Sequence, residues 1–288
     1  MENTINVHSF ELGDYKCSVI QDFDQPWTVW ELFSNVPKDE LEAKLRETGE
    51  DPGIRRCGNV LLLQLGTNNI LVDAGLPDGN LLQGLEQLGI TPRDIDSLVL
   101  THADMDHVGY LDIFDKATVY FPEKAYTMWT TNEDMMIDEL ARLFQGKAPI
   151  EQVKGMEAQR RKFAQEVLPS ISARLSRVKE GEAFLNDFTF IESGGHRSDH
   201  HALEVRSGNH TLLHVVDTFR LPLQLAKPYL ACRFDTYQGL VKAIIPLLAK
   251  RAIEKHAIVL GTHITFPGLC QLEEAENGFV MKPLAEVN

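Results

Sequence analysis

Thr101-His-Ala-Asp-Met-Asp-His-Val-Gly109, set directly behind the apolar run Ile95-Asp-Ser-Leu-Val-Leu100, governs how the rest of the chain is read. A buried strand ends here, and His102, Asp104, Asp106 and His107 leave it within one short loop. A rigid strand end opening into a loop can hold a hydrolytic metal centre in fixed geometry. Imidazole and carboxylate together suit divalent zinc, iron or manganese.

Further donors fall at other strand ends. His196 and His200 lie in Gly194-Gly-His-Arg-Ser-Asp-His-His-Ala-Leu203, between two runs of strand character. Asp217 closes the apolar run Leu212-Leu-His-Val-Val216, and His263 follows Ala257-Ile-Val-Leu-Gly-Thr262. A lone His at a strand end is more often structural than ligating, so the weight rests on the set. His8, His210, His214 and His256 have no such context, and His196 and His201 read as structural neighbours of His200.

Strand and helix patterns mix along the whole length, which predicts one α+β domain. Val60–Leu65 and Ile70–Asp73, joined by a Gly66 turn, read as a hairpin. Helices are expected over 80–88 and 237–255. Two stretches stand outside the sheet pattern as insertions and candidate lid or pocket elements. One spans about 25–52 and carries Trp27, Trp30 and Phe33; the other is helical, at about 122–180. In the second, Met128, Trp129, Met135 and Met136 suggest a pocket, although such residues at helical spacing more often pack a core. Glu273-Glu-Ala-Glu276 reads as a solvated loop.

Bulk properties narrow the partners. The chain has 288 residues and a net charge of -14, which argues against nucleic acid or an anionic membrane surface. Four cysteines lie far apart with no CxxC pair, as in a reduced cytoplasmic protein. Met1–His8 is polar and shows no secretory signal, and no run reaches the roughly 20 apolar residues that span a bilayer. A small-molecule substrate is expected, and a homodimer is left open.

Taken in order, these motifs resemble the metallo-beta-lactamase superfamily over most of the chain. Its His-x-His-x-Asp-His motif matches His102-Ala-Asp104-Met-Asp106-His107, and its Gly-His-Thr-Pro-Gly-His segment matches Gly195-His-Arg-Ser-Asp-His200. Its Asp-x-Gly turn matches Asp73-Ala-Gly75, followed by a strand-ending Asp217 and a last His263. Gly261-Thr-His-Ile-Thr-Phe-Pro-Gly-Leu269 looks like the subgroup of lactonases and organophosphate hydrolases.

The resemblance implies one domain over 1–288, a four-layered αββα sandwich with a helical insertion, and two divalent ions, zinc first. One ion would take His102, Asp104, His200 and a bridging Asp217; the other would take Asp106, His107, His263 and the same Asp217. The implied chemistry is hydrolysis of a lactone or carboxylic ester, with phosphotriesters related, by a metal-bound hydroxide that Asp106 orients. Arg220 and Trp129 are the candidate substrate contacts.

Two departures stand out. Asp104 replaces the usual His, which shifts preference toward iron or manganese and raises a di-iron redox protein as a rival. Arg197-Ser-Asp199 replaces Thr-Pro-Gly, and Asp199 could support a ligating imidazole or be a loop acid. A glyoxalase-type thioesterase and a non-catalytic ligand-binding member of the fold stay open beside the hydrolase and the redox protein.

Overall fold

Alternation along the strands sorts the side chains into layers. The computed structural model describes residues 5–34, 36–276 and 278–284; the first four residues of the polar amino terminus lie outside them. One sheet runs in chain order: β1 (Val7–Leu12), β2 (Tyr15–Thr28), β3 (Gly53–Leu65), β4 (Asn68–Val72), β5 (Ser97–Val99), β6 (Thr118–Pro122) and β7 (Leu175–Val178). It is antiparallel from β1 to β4 and parallel from β4 to β7. The second sheet comprises β8 (Ala183–Phe184), β9 (Phe188–Glu192), β10 (His201–Ser207), β11 (His210–Val216), β12 (Ile258–Gly261), β13 (Leu269–Ala275) and β14 (Gly278–Pro283). Among the described residues its only parallel pair is β11 with β12.

Because side chains alternate across a strand, Leu61 and Leu63 face the second sheet, where Phe190, Leu203 and Leu212 meet them. Val60 and Leu62 face the other way, onto helices. The helices before β7 are α1 (Val29–Leu32), α2 (Lys38–Thr48), α3 (Leu81–Gln87), α4 (Met105–Val108), α5 (Glu123–Thr131), α6 (Glu133–Phe144), α7 (Ile150–Lys162) and α8 (Leu168–Ser170). Of these, α3, α4, α5, α6 and α8 contribute to the cluster around Val60 and Leu62, α1 and α2 form a separate one with Leu221 and Leu230, and Val153 of α7 packs with Ala141 and Phe144 of α6. On the far side, α9 (Pro222–Ala226) and α10 (Gln238–Glu254) follow β11, and Val241, Ile245 and Leu248 of α10 cover Leu213, Val215 and Val259. The result is the αββα sandwich.

Three readings shift. Leu175–Val178, expected to be helical, is an edge strand paired with β6; four residues carry too little periodicity to reveal a partner supplied by the fold. Glu273–Glu276, expected to be a loop, lies mostly in β13, where backbone pairing to β14 leaves the acids pointing to solvent. Residues 25–28, read as insertion, continue β2, paired as far as Thr28 with Gly53, so the first insertion sits at the tip of a long ribbon.

Candidate metal centre

Each donor is delivered by a strand end. The loop after β5 carries His102 and Asp104, and α4 carries Asp106 and His107. Gly109 ends that turn where an added Cβ would lie 2.5 Å from the Gly75 carbonyl oxygen, so the loop packs closely on the Asp73 turn. His196 and His200 lie in the β9–β10 connection, and His263 follows β12. The register of β11 against β12 slips between His214 and Val216, and Val216 takes φ 54, which turns Asp217 out of the sheet.

The donors form three overlapping groups: His102 with Asp104 and His196, Asp106 with His107 and His263, and, joining these two, His102 with His107 and Asp217. Asp217 lies between the first two. Its Oδ2 is 3.2 Å from His196 Nε2 and 3.0 Å from His263 Nε2, and its Oδ1 is 3.4 Å from His107 Nε2. Asp104 Oδ2 is 3.4 Å from His196 Nε2 and 3.8 Å from His102 Nε2, and Asp106 Oδ2 is 3.5 Å from His263 Nε2. Tetrahedral coordination with bonds of about 2.0–2.2 Å places neighbouring donors roughly 3.3–3.6 Å apart. Three of these six separations, at 3.4, 3.4 and 3.5 Å, fall in that range, and the other three, at 3.0, 3.2 and 3.8 Å, lie just outside it.

Two further observations fit a cation here. His102 Nε2, His107 Nε2 and Asp217 Oδ1 are buried without a hydrogen-bond partner, a cost a protein rarely bears without use. The opposite ring nitrogens are all held. His107 Nδ1 lies 2.7 Å from Asp73 Oδ2, His196 Nδ1 2.9 Å from Asp235 Oδ1, His263 Nδ1 2.7 Å from the Cys57 carbonyl oxygen, and His102 Nδ1 3.1 Å from Thr101 Oγ1. Oxygen partners at Nδ1 leave the Nε2 lone pairs aimed at the centre, the usual support for ligating imidazoles. Asp73 also accepts from the Thr101 amide and hydroxyl, at 2.8 Å each, so the early turn braces the loop that carries His102 and Asp104.

The electrostatics agree. Burial holds His102 well below its ordinary pKa, with His107 adding to the effect. At His107 burial acts in the same direction, but the Asp73 and Asp217 carboxylates outweigh it and raise the pKa far above the usual value. Asp217 is held well below the carboxylate range: burial opposes ionisation, and His263, His196, His107 and Arg220 overcome it.

A profile of the metallo-beta-lactamase superfamily matches residues 55–245. The chain belongs to the metallo-beta-lactamase superfamily. Metallo-beta-lactamase domain-containing protein 1 of Xenopus laevis is 34% identical over 91 residues, a match covering 31% of this chain and 37% of that protein. Among solved structures, the dizinc quorum-quenching lactonase AidC superposes with a TM-score of 0.84 at 20% identity over 99% of each chain. The hydrolase AbOPH gives 0.83 at 20% identity over 100% of each. A probable metal-dependent hydrolase from Staphylococcus aureus gives 0.69 at 16% identity, covering 96% of this chain and 100% of that one. At these identities the likeness is one of fold.

Set in the superfamily motifs, two expectations are corrected. His196, the first histidine of the Gly-His-Arg-Ser-Asp-His segment, faces the donors; His200 does not. Both His200 nitrogens are engaged: Nδ1 is 2.9 Å from Ser193 Oγ, and Nε2 accepts from the Asp217 amide at 3.1 Å. His200 thus holds the Asp217 backbone. Trp129 is 1% exposed, lies outside the cavity wall and donates from Nε1 to Asp199 Oδ2 at 2.7 Å. It is core. Asp199 also accepts from the Ala103 amide at 3.0 Å, so it anchors the metal loop rather than an imidazole.

Arg220 does face the centre, its NH2 3.1 Å from Asp217 Oδ2. Asp235, Arg160 and the partner of Arg197 emerge only from the packed chain. Arg197 donates from Nε to Asp104 Oδ1 at 3.1 Å and forms an ion pair from NH2 to Oδ2 at 2.8 Å, and Arg160 NH1 donates to Asp104 Oδ1 at 2.9 Å. Arg160 sits in a run of helical charges and Asp235 in a loop, so neither carries a motif that marks it.

Proposed function

We propose that this protein is a metal-dependent hydrolase that cleaves an ester-like bond, a lactone or carboxylic ester, in a small molecule. The observation that carries the reading is the pair of donor groups flanking Asp217 at the floor of a cavity of about 560 Å³. That volume suits a small molecule. Leu140, Phe144, Met156, Phe163 and Val167 of the helical insertion form an apolar wall, and Trp27 and Ile54 contribute from the β2–β3 ribbon tip. Both insertions therefore serve as pocket elements of a single domain, in keeping with an acyl or aryl substituent. The lactonase and hydrolase neighbours, and the segment around His263, favour an ester-like bond, with phosphotriesters as relatives.

His102, Asp104 and His196 would hold one divalent ion, and Asp106, His107 and His263 the other, with Asp217 shared; zinc is the first candidate. Bound there, such ions supply Lewis acidity and a water acidic enough to act as nucleophile near neutral pH. The chain's own residues do the rest. Asp73, Asp235 and the Cys57 carbonyl hold the imidazole orientations. Asp106 borders the cavity, with its Oδ2 3.5 Å from Arg56 NH2, and can carry a proton to the leaving oxygen. Arg220 holds Asp217 in place and presents a buried positive charge to the cavity.

Replacing Asp217 by Ala should remove bound metal and hydrolysis of lactones and aryl esters together; retention of both would sink the proposal. Metal-loaded protein that binds such compounds without turning them over would favour a ligand-binding role. Two irons with no hydrolysis would favour redox chemistry.

A further inference from the structure

The two departures from the superfamily motifs touch each other. Arg197 grips Asp104 as a fork, Nε on Oδ1 and NH2 on Oδ2, and Arg160 adds a second guanidinium on Oδ1. All three residues are buried. Each arginine is fixed independently of the carboxylate. Arg197 NH1 donates to the carbonyl oxygens of His196 and Phe234, at 2.6 and 2.5 Å, and Arg160 bonds the Met136 carbonyl at 2.6 Å and Glu139 at 3.2 Å. Neither needs to move for Asp104 to stay paired. A carboxylate offers about four lone-pair sites; both on Oδ1 are taken by hydrogen bonds, and Oδ2 is held in an ion pair. The other group differs. Among the described residues Asp106 has one contact with an arginine or lysine at hydrogen-bonding range, Arg56 at 3.5 Å, and that arginine is 36% exposed at its side chain.

We propose that Arg197 and Arg160 compete with metal for the Asp104 carboxylate. The centre then takes one divalent ion tightly at Asp106, His107 and His263, and a second much more weakly at His102, Asp104 and His196. The inference rests on the metal-centre reading above. Its physical basis is charge: two guanidiniums within 3.1 Å of Asp104 neutralise the donor and repel an incoming dication. The same arrangement has an opposite interpretation, because hydrogen bonds to a ligating carboxylate ordinarily orient it and strengthen the site. The two interpretations predict opposite signs.

Zinc titration of the metal-stripped full chain, by calorimetry and by competition with a chromophoric chelator, reads both ions without reference to activity. The wild type should show two steps separated by roughly 100-fold in affinity, and Arg197→Thr should tighten only the weaker step by about 10- to 100-fold, the range typical of changes behind a ligand. Arg160→Met, on a different element, should do the same in smaller measure, and it carries the test if circular dichroism shows that Arg197→Thr does not fold. Asp104→Asn should abolish the weak step and leave the tight one. Weakening of the second step in the arginine variants would show orientation instead of competition and overturn the proposal. Two equal equivalents in the wild type would overturn it as well. No zinc uptake at all would overturn the metal-centre reading and this inference with it.

Discussion

At the scale of single residues, the centre turns on which nitrogen of each histidine is already engaged. His196 and His200 are four positions apart and alike in sequence, yet one has Nε2 among carboxylates and the other has it on the Asp217 amide. His196→Ala should therefore cost about one equivalent of bound metal by elemental analysis, whereas His200→Ala should keep metal and lose stability. The hydrogen bonds removed at His200 amount to about 1 kcal/mol each, more if the Asp217 amide is left unpaired. Asp104 is a second case. Read alone, Asp104→His restores the common motif and should improve zinc binding. With Arg197 and Arg160 in view, it strands the buried Arg197 guanidinium and leaves Arg160 with Glu139 as its acidic partner, a loss on the order of 3–5 kcal/mol. Denaturant unfolding of the metal-free protein should show that loss for the single change and a smaller one when Arg197→Thr accompanies it; equal losses would contradict the coupling.

At the scale of elements, the helical insertion is fastened to the centre. Arg160 of α7 joins Asp104 to Glu139 of α6, and Glu139 Oε1 takes the Ser198 amide at 2.9 Å. Trp129 of α5 reaches Asp199 on the same loop. Trp129→Phe should lower stability by roughly 1.5–3 kcal/mol, as for a hydrogen bond to a charged group, with KM unchanged; a changed KM at unchanged stability would return Trp129 to the pocket. In β11, burial pushes His214 down to about 4. The unfolded chain takes up this proton near 6.5 and the folded one only near 4. Stability from His214 is thus complete above about pH 6.5 and drains away as pH falls toward about 4. Unfolding free energies at pH 7 and pH 5 should differ less in His214→Phe than in the wild type.

At the scale of the molecule, net acidity and local chemistry separate. The chain carries -14 overall, yet Arg56, Arg160, Arg197, Arg220 and Arg233 border one cavity. A global charge argument against anionic partners says nothing about this interior. The four cysteines are all buried, and desolvation lifts Cys17, Cys232 and Cys270 to about 12. Native protein at pH 8 should leave them unreacted with a thiol-specific chromogenic disulfide and release four equivalents in denaturant; fast native reaction would contradict the packing. Among the described residues no helix is long and apolar enough to cross a membrane.

Much of this was legible before folding. Apolar runs that end in His or Asp are local facts, so the strand ends and His102, Asp106, His107, Asp217 and His263 as candidate donors could be read directly, whereas the αββα sandwich was implied by the family resemblance that their order carries. What tertiary structure decided depends on direction and partner. The choice of His196 over His200 follows from the backbone amide each ring meets. The meaning of Asp104 follows from arginines 56 and 93 positions away in sequence. Period and spacing show where a side chain leaves the backbone; only the packed chain settles which charges share its space, and charge sharing sets how strongly a carboxylate can hold metal.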